Sequence, residues 1–381
     1  MDLMLLGSKL KSYREQFQAS HADVAVATGI AEDRVRAFET GQATPSGDEI
    51  LILADFYKCD YKFFVSNEKL APFEQTDTLF RLHGKELSKE DRWAIQEFLF
   101  LCECEDFLEG VVPRIARKPF TFSPSGAYFK AHAEECAAAL RRHFGIGPNE
   151  VNPNIFEDFR KLGIHIFRRQ LANSNISGLF IMHPVAGRCV LVNYDEDIYR
   201  QRFTAAHEAA HAIFDAADEV IISFENWDKK DLKEVRANTF ASRYLLPPQL
   251  LRAIPSPVEW DAQKGIDYAS KFKVSTFALA VALKEANLID DSTFSSVRGG
   301  KVPREAKEDS ELPASLSPRG KARKASLLAR GLSDYYVGLC FDAYEHNHVT
   351  AGRLAEMLLV HGPNELHDLA TLYGRSLRYG G

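Results

Sequence analysis

Over the first sixty-odd residues, apolar positions recur at three- and four-residue intervals, and Gly29, Gly41 and Pro45 interrupt them. That pattern predicts short helices joined by tight turns. A longer apolar run of the same helical character follows in KEDRWAIQEFLFLCECEDFLEG, Lys89 to Gly110. From about residue 124 the character changes. HAEECAAALRRHFGI reads as a helix ending near a glycine, and NIFEDFRKLGIHIFRRQ as a helix running through Gly163 into a short strand. In SGLFIMHPVAGRCVLVNY, two β-rich runs, Leu179 to Met182 and Cys189 to Val192, flank a Pro/Gly turn, which predicts a hairpin. Two helices come next, RFTAAHEAAHAIFD and DLKEVRANTFASRYLL, the second stopped by Pro247-Pro248. Residues 299–322, GGKVPREAKEDSELPASLSPRG, are charged, Pro/Ser-rich and aperiodic, as a linker would be. The remainder is again helical, and no internal repeat is evident. The chain therefore divides into 1–66, a helical connector 67–120, an α+β unit 121–298, the linker 299–322 and a C-terminal helical module 323–381.

Composition narrows the class. With 381 residues, 45% hydrophobic and 26% charged, the chain can bury a sizeable core and favours more than one domain. A net charge of −6 gives no general attraction to nucleic acid or acidic membranes, so any such contact must be local. Six scattered cysteines (Cys59, Cys102, Cys104, Cys136, Cys189, Cys340) include no CxxC pair and suit free thiols in a reducing compartment. The opening MDLMLLGSKL is too short for a signal peptide, and no apolar run reaches membrane-spanning length. A cytoplasmic protein with no membrane partner is the expectation.

The chemistry concentrates in His207-Glu208-Ala209-Ala210-His211. On a helix, i and i+4 share a face, so two imidazoles at this spacing can hold one zinc ion. Glu208 is displaced around the helix and can act as general base on a metal-activated water without ligating the metal. Glu234, on the following helix, supplies a third ligand, and Asn238, one turn further, can orient a ligand histidine through its free ring nitrogen. Other acids stand nearby, Glu219, Glu225 and Asp231 among them, with Asp215 the second choice of ligand. A buried helix that merely carries two core histidines is the competing reading.

Taken together, FTAAHEAAHAIF, the preceding VLVN, the Ser177-Gly178-Leu179 stretch and EVRANTFASRYLLPP resemble the ImmA/IrrE family of zinc metallopeptidases. The correspondence falls at Asn193, Arg202-Phe203, Ala206 to His211, Glu234, Ala237-Asn238, Phe240-Ala241 and Leu246-Pro247, within residues 124–250. One departure is Ala210, where a glycine commonly precedes the second histidine; alanine is the better helix former and leaves ligation untouched. The resemblance implies a zincin-like α+β fold of the gluzincin kind, with a small mixed sheet and the HExxH helix. It also implies bound zinc and site-specific cleavage of a protein, often a helix-turn-helix repressor. Val190, Val192 and Asn193, on a strand expected at the sheet edge, are candidates to hold an extended substrate. Tyr194, Tyr244 and His183 are candidates to stabilise an oxyanion.

The N-terminal segment resembles a Cro/cI-type (XRE) helix-turn-helix at Val24-Ala25, Gly29-Ile30, Val35, Phe38-Glu39, Gly41 and Leu53-Ala54. Its recognition helix is expected over Ala31 to Glu39, with Arg34 and Arg36 as the DNA readers. Its charge runs the other way: residues 1–66 hold seven basic and ten acidic side chains, a net of −3. Since phosphate neutralisation supplies most duplex affinity, operator DNA competes with a protein partner, or a second copy of the chain, as what this module binds. The basic cluster Arg319, Lys321, Arg323 and Lys324 reads as a solvated face, and His346, His348, His361 and His367 lack ligand spacing. The leading expectation is a zinc endopeptidase fused to a helix-turn-helix, cutting a repressor or antitoxin-like protein. The alternative is a transcriptional regulator whose peptidase-like domain senses a ligand or metal and cuts nothing.

Overall fold

A computed structural model describes residues 2–67, 87–124, 126, 129–173, 175–216, 220–224, 231–255, 260–312, 314–360 and 362–377. The N-terminal helices are α1 (Leu3–Gln16), α2 (His21–Thr28), α3 (Glu32–Glu39), α4 (Gly47–Tyr57) and α5 (Tyr61–Val65). Capping boxes start α2 at Ser20/Asp23 and α4 at Ser46/Glu49, each satisfying two otherwise orphaned backbone donors. Gly29, in the left-handed conformation at φ +73°, makes the turn between α2 and α3. Leu10, Tyr13, Val24, Val35, Phe38, Leu53 and Tyr57 close the core beneath them.

Helix α6 (Lys89–Val111) is a spine rather than a loose connector. At one end Trp93 stacks on Phe17 at 4.2 Å, and Arg92 and Gln96 donate to the carbonyls of Gln16 and Lys58. At the other end Glu105 pairs with His165 at 2.9 Å, and Phe98 packs edge-on against Phe167. One hydrophobic cluster thus runs from the helix-turn-helix through α6 into the sheet and the C-terminal module.

In the α+β unit, α7 (Phe129–His143) and α8 (Ile155–Lys161) precede β1 (His165–Arg169), β2 (Ile176–His183) and β3 (Gly187–Asn193). The hairpin falls where alternation predicted it; α8 stops before Gly163, which is left-handed at φ +77°. Helix α9 (Ile198–Phe214) crosses the sheet and is followed by β4 (Val220–Phe224) and α10 (Leu232–Leu245). The strand order is β1-β3-β2-β4, with β1 parallel to β3 and the other pairings antiparallel. This corrects the expectation for Val190, Val192 and Asn193. Strand β3 is paired on both sides, and all three residues are fully buried, so they cannot offer a free edge to a substrate. Asn193 is instead a clamp, donating to the Ile176 carbonyl and accepting from the Leu171 and Asp195 amides. Among the described residues β1 and β4 are the outer strands, and β1 is bridged at Arg169 to Arg330.

Helices α11 (Pro248–Arg252), α12 (Ala262–Phe272), α13 (Thr276–Glu285) and α14 (Asp291–Gly299) complete the unit. Residues 299–322 do not behave as a solvated linker. Val302 and Leu312 are buried, and Glu311 reaches between Arg160 and Arg168 at 2.9 Å from each. Asp309 accepts from both Nη atoms of Arg168, and Lys273 pairs with Glu308 at 2.8 Å. Aperiodic sequence here encodes a strap held by ion pairs, which hydrophobic patterning does not register. The C-terminal module consists of α15 (Pro318–Leu328), α16 (Asp334–Glu345), α17 (Ala351–Met357) and α18 (Pro363–Leu372), with Tyr336, Val337, Cys340 and Phe341 of α16 packed toward α6. His346, His348 and His367 are exposed; His361 lies outside the described residues. Among the described residues no helix is long and apolar enough to cross a membrane.

Candidate metal centre

The residues 205, 206, 209, 210 and 212 of α9 are all alanine and all fully buried. Their small side chains let the helix lie close to β2 and β3 on one side and to α10 on the other. That close approach brings three ligand-type side chains together. His207 Nε2 and His211 Nε2 are 3.1 Å apart, and each lies 3.3 Å from one oxygen of Glu234. Among the described residues this is the one group of three or more such side chains converging on a common point.

The donor set fits zinc. Ligands at about 2.0–2.1 Å in tetrahedral array stand roughly 3.3–3.4 Å from one another, close to the three separations seen here. The outer ring nitrogens are committed elsewhere: His207 Nδ1 faces Asn238 Oδ1 at 3.2 Å, and His211 Nδ1 faces Asp215 Oδ2 at 2.9 Å. With those nitrogens protonated, both Nε2 atoms and the Glu234 carboxylate converge on one point, which a metal cation or a shared proton can satisfy. The three side chains also shift one another's protonation. Burial opposes charge on His211, but Asp215 and Glu234 outweigh it and hold the imidazole up at about 9. Burial would raise Glu234, yet the two histidines hold it well below the usual carboxylate range.

Asp215, the second-choice ligand, therefore meets the outer ring nitrogen of His211 instead of the common point. It is fixed in turn by Arg236, whose guanidinium lies between the rings of Phe129 and Phe214, 5.0 and 4.5 Å from their centroids. Arg236 gave no sequence signal beyond its place between Glu234 and Asn238. Asn238 anchors its own amide on the Glu234 carbonyl, so one helical turn sets both ligand and orienting group. Asp231 caps α10; Glu219 and Glu225 lie outside the described residues.

Glu208 is different in kind. It is fully buried, and neither carboxylate oxygen has a well-formed hydrogen bond among the described residues. Burial raises its carboxyl above the ordinary range, moderated by the two histidines and by the nearby Ser223 hydroxyl of β4. Structural buried carboxylates are hydrogen-bonded; an uncommitted one beside a metal triad is available for proton transfer. Room for it comes from Gly178 on β2. A Cβ there would stand 2.9 Å from Glu208 Oε1, 2.7 Å from Thr204 Cγ2 and 2.9 Å from the Leu191 carbonyl. Gly178→Ala is thus expected to destabilise the fold by about 1–3 kcal/mol through overpacking, read from the denaturant midpoint. An unchanged midpoint would mean that the sheet yields freely there.

The structure gathers neither the oxyanion candidates nor the DNA readers into this centre. Tyr244 sits ten residues beyond Glu234 on α10, its hydroxyl engaged with Asn152 and Asp158. His183 closes the hairpin end, accepting from the Val185 and Ala186 amides, and Tyr194 lies under Arg168. On α3, Arg34 is paired with Glu49 and Arg36 with Glu32, so each cation meets an acid of its own domain.

Two histidines one turn apart, a carboxylate from the neighbouring helix and a buried glutamate beside them form a candidate metal centre. Residues 159–284 match the IrrE N-terminal-like domain family, and residues 5–61 match a helix-turn-helix domain family. The chain joins a peptidase domain of the ImmA/IrrE type to an N-terminal helix-turn-helix. No curated protein matches it.

Proposed function

We propose that this chain is a zinc-dependent endopeptidase that cuts a repressor or antitoxin-like protein, with its helix-turn-helix tying that event to DNA. The observation that carries the reading is the His207/His211/Glu234 triad beside a buried, uncommitted Glu208. Zinc, when held by these three side chains, supplies Lewis acidity that polarises a carbonyl and acidifies water. Glu208 takes the proton from the attacking water and returns it to the departing amine. Burial raises its carboxyl above the ordinary range, the direction that strengthens it as an acceptor of the proton from water. Asn238 and Asp215 keep the two imidazoles in the tautomer that leaves each Nε2 free to ligate.

Substrate would be held at β4 rather than β3. Strand β4 pairs with β2 on one side and with no described strand on the other, and it carries Ser223 beside Glu208. An extended peptide can add there by backbone hydrogen bonding, its scissile bond beside the triad. The reading is tested by comparing new protein N-termini in cells expressing the wild type and Glu208→Gln. A small set of cleavage sites dependent on Glu208 is expected; identical sets in both would oppose proteolysis.

A further inference from the structure

We infer that the exposed face of α15 is a contact surface for the phosphate backbone of duplex DNA, supplying the positive charge that the helix-turn-helix lacks. This rests on the helix-turn-helix engaging DNA, and it does not depend on the peptidase activity.

Between Glu311 and Asp334 the sequence holds no acidic residue and five basic ones, Arg319, Lys321, Arg323, Lys324 and Arg330, in a chain whose net charge is −6. Two of the five are committed. Lys324 pairs with Asp334 at 2.6 Å, and Arg330 bonds Glu365 and the Leu359 carbonyl. Arg319, Lys321 and Arg323 are exposed on α15 and form no ion pair with any described residue. Arg319 and Arg323, four residues apart, share one stripe of the helix. The N-terminal domain shows the opposite: both its candidate DNA readers are neutralised by partners of their own, and its net charge is −3.

The placement also runs against local helix energetics. Helices α2, α4 and α6 put Asp23, Glu49 and Asp91 third in the first turn, where acids complement the macrodipole and complete a capping box. Helix α15 has Gly320 at that position, Arg319 before it and Lys321 after it, with no acid in the turn. Cations there slightly disfavour the isolated helix. The underside is already occupied, with Leu328 buried and Leu327 packed on the core. The helix therefore has no free apolar face to enter a lipid surface, which favours nucleic acid over membrane.

The test uses the full-length protein and a mixed-sequence duplex of about 30 base pairs, with affinity measured across a salt series. In the variant Arg319→Gln, Lys321→Gln, Arg323→Gln, affinity near 0.1 M salt is expected to fall at least about tenfold, and the log–log salt slope to shrink by up to about 3. All three positions are exposed, so circular dichroism should match the wild type. If the wild type binds but the variant keeps its affinity and slope, the assignment of α15 falls and the helix-turn-helix reading stands. If the wild type fails to bind even at low salt, both fall. Retained duplex binding in the variant with lost binding to phosphatidylserine vesicles would reassign the face to lipid and overturn the inference.

Discussion

Glu208→Gln is expected to lower cleavage by about 10²–10⁴ while leaving metal content and fold unchanged. The substitution preserves shape and places an amide in a pocket where neither carboxylate oxygen has a well-formed hydrogen bond. Because Glu208 ligates nothing, the triad should hold metal as before. What is removed is the group proposed to accept the proton from water. A variant that cuts at the wild-type rate would strip Glu208 of that role, and one that also loses its metal would show that the carboxylate supports the site sterically. Promoter control gives a second readout, because a regulator that only senses should respond identically in both forms.

The second large effect concerns stability. Glu311→Ala is expected to destabilise the protein by about 3–5 kcal/mol, because it strands the buried Arg160 guanidinium and takes one of two carboxylates from Arg168. Glu311 stands 2.9 Å from both Arg160 and Arg168, and those two cations outweigh the burial that would otherwise raise its carboxyl. Arg168 keeps Asp309, whereas Arg160 retains, among the described residues, the Ile166 carbonyl, a long contact to Ser333 and the face of the Tyr335 ring. Equilibrium urea unfolding measures the loss, and limited proteolysis of residues 299–317 should report detachment of the strap. A change below about 1 kcal/mol would mean the segment behaves as the solvated connection its composition suggests.

That strap shows where sequence reading stops. Hydrophobic periodicity located the N-terminal helices, α6, the two helices that carry the triad and the β2–β3 hairpin, because their burial follows the 3.6- and 2-residue repeats of the backbone. Residues 299–322 carry no such repeat, since Glu311 and Asp309 bind through charge and each pairing partner lies over a hundred residues away. Within the site, His207 and His211 were legible because their spacing on one helix is local, and Glu234 because the chain after them is long enough to turn a second helix back onto the first. Asn238 followed from its place one turn beyond Glu234. Asp215 stands four residues from His211 in the sequence, but only the fold shows that it meets the outer ring nitrogen rather than the metal position. The edge strand was misplaced for a related reason. Alternation identifies β3 as a strand, whereas its neighbours depend on β1 arriving parallel on one side and the hairpin on the other. Gly178 and Ser223 matter only through what packs against them, which no pattern along the chain records.

The most direct test is the metal content of the purified protein beside His207→Ala and Glu234→Ala. About one zinc per chain in the wild type, lost in both variants while their circular dichroism stays native, is the predicted result. A wild-type chain that retains no metal after zinc is offered and dialysed away would contradict it, and would make the convergence of His207, His211 and Glu234 a buried polar cluster rather than a metal centre.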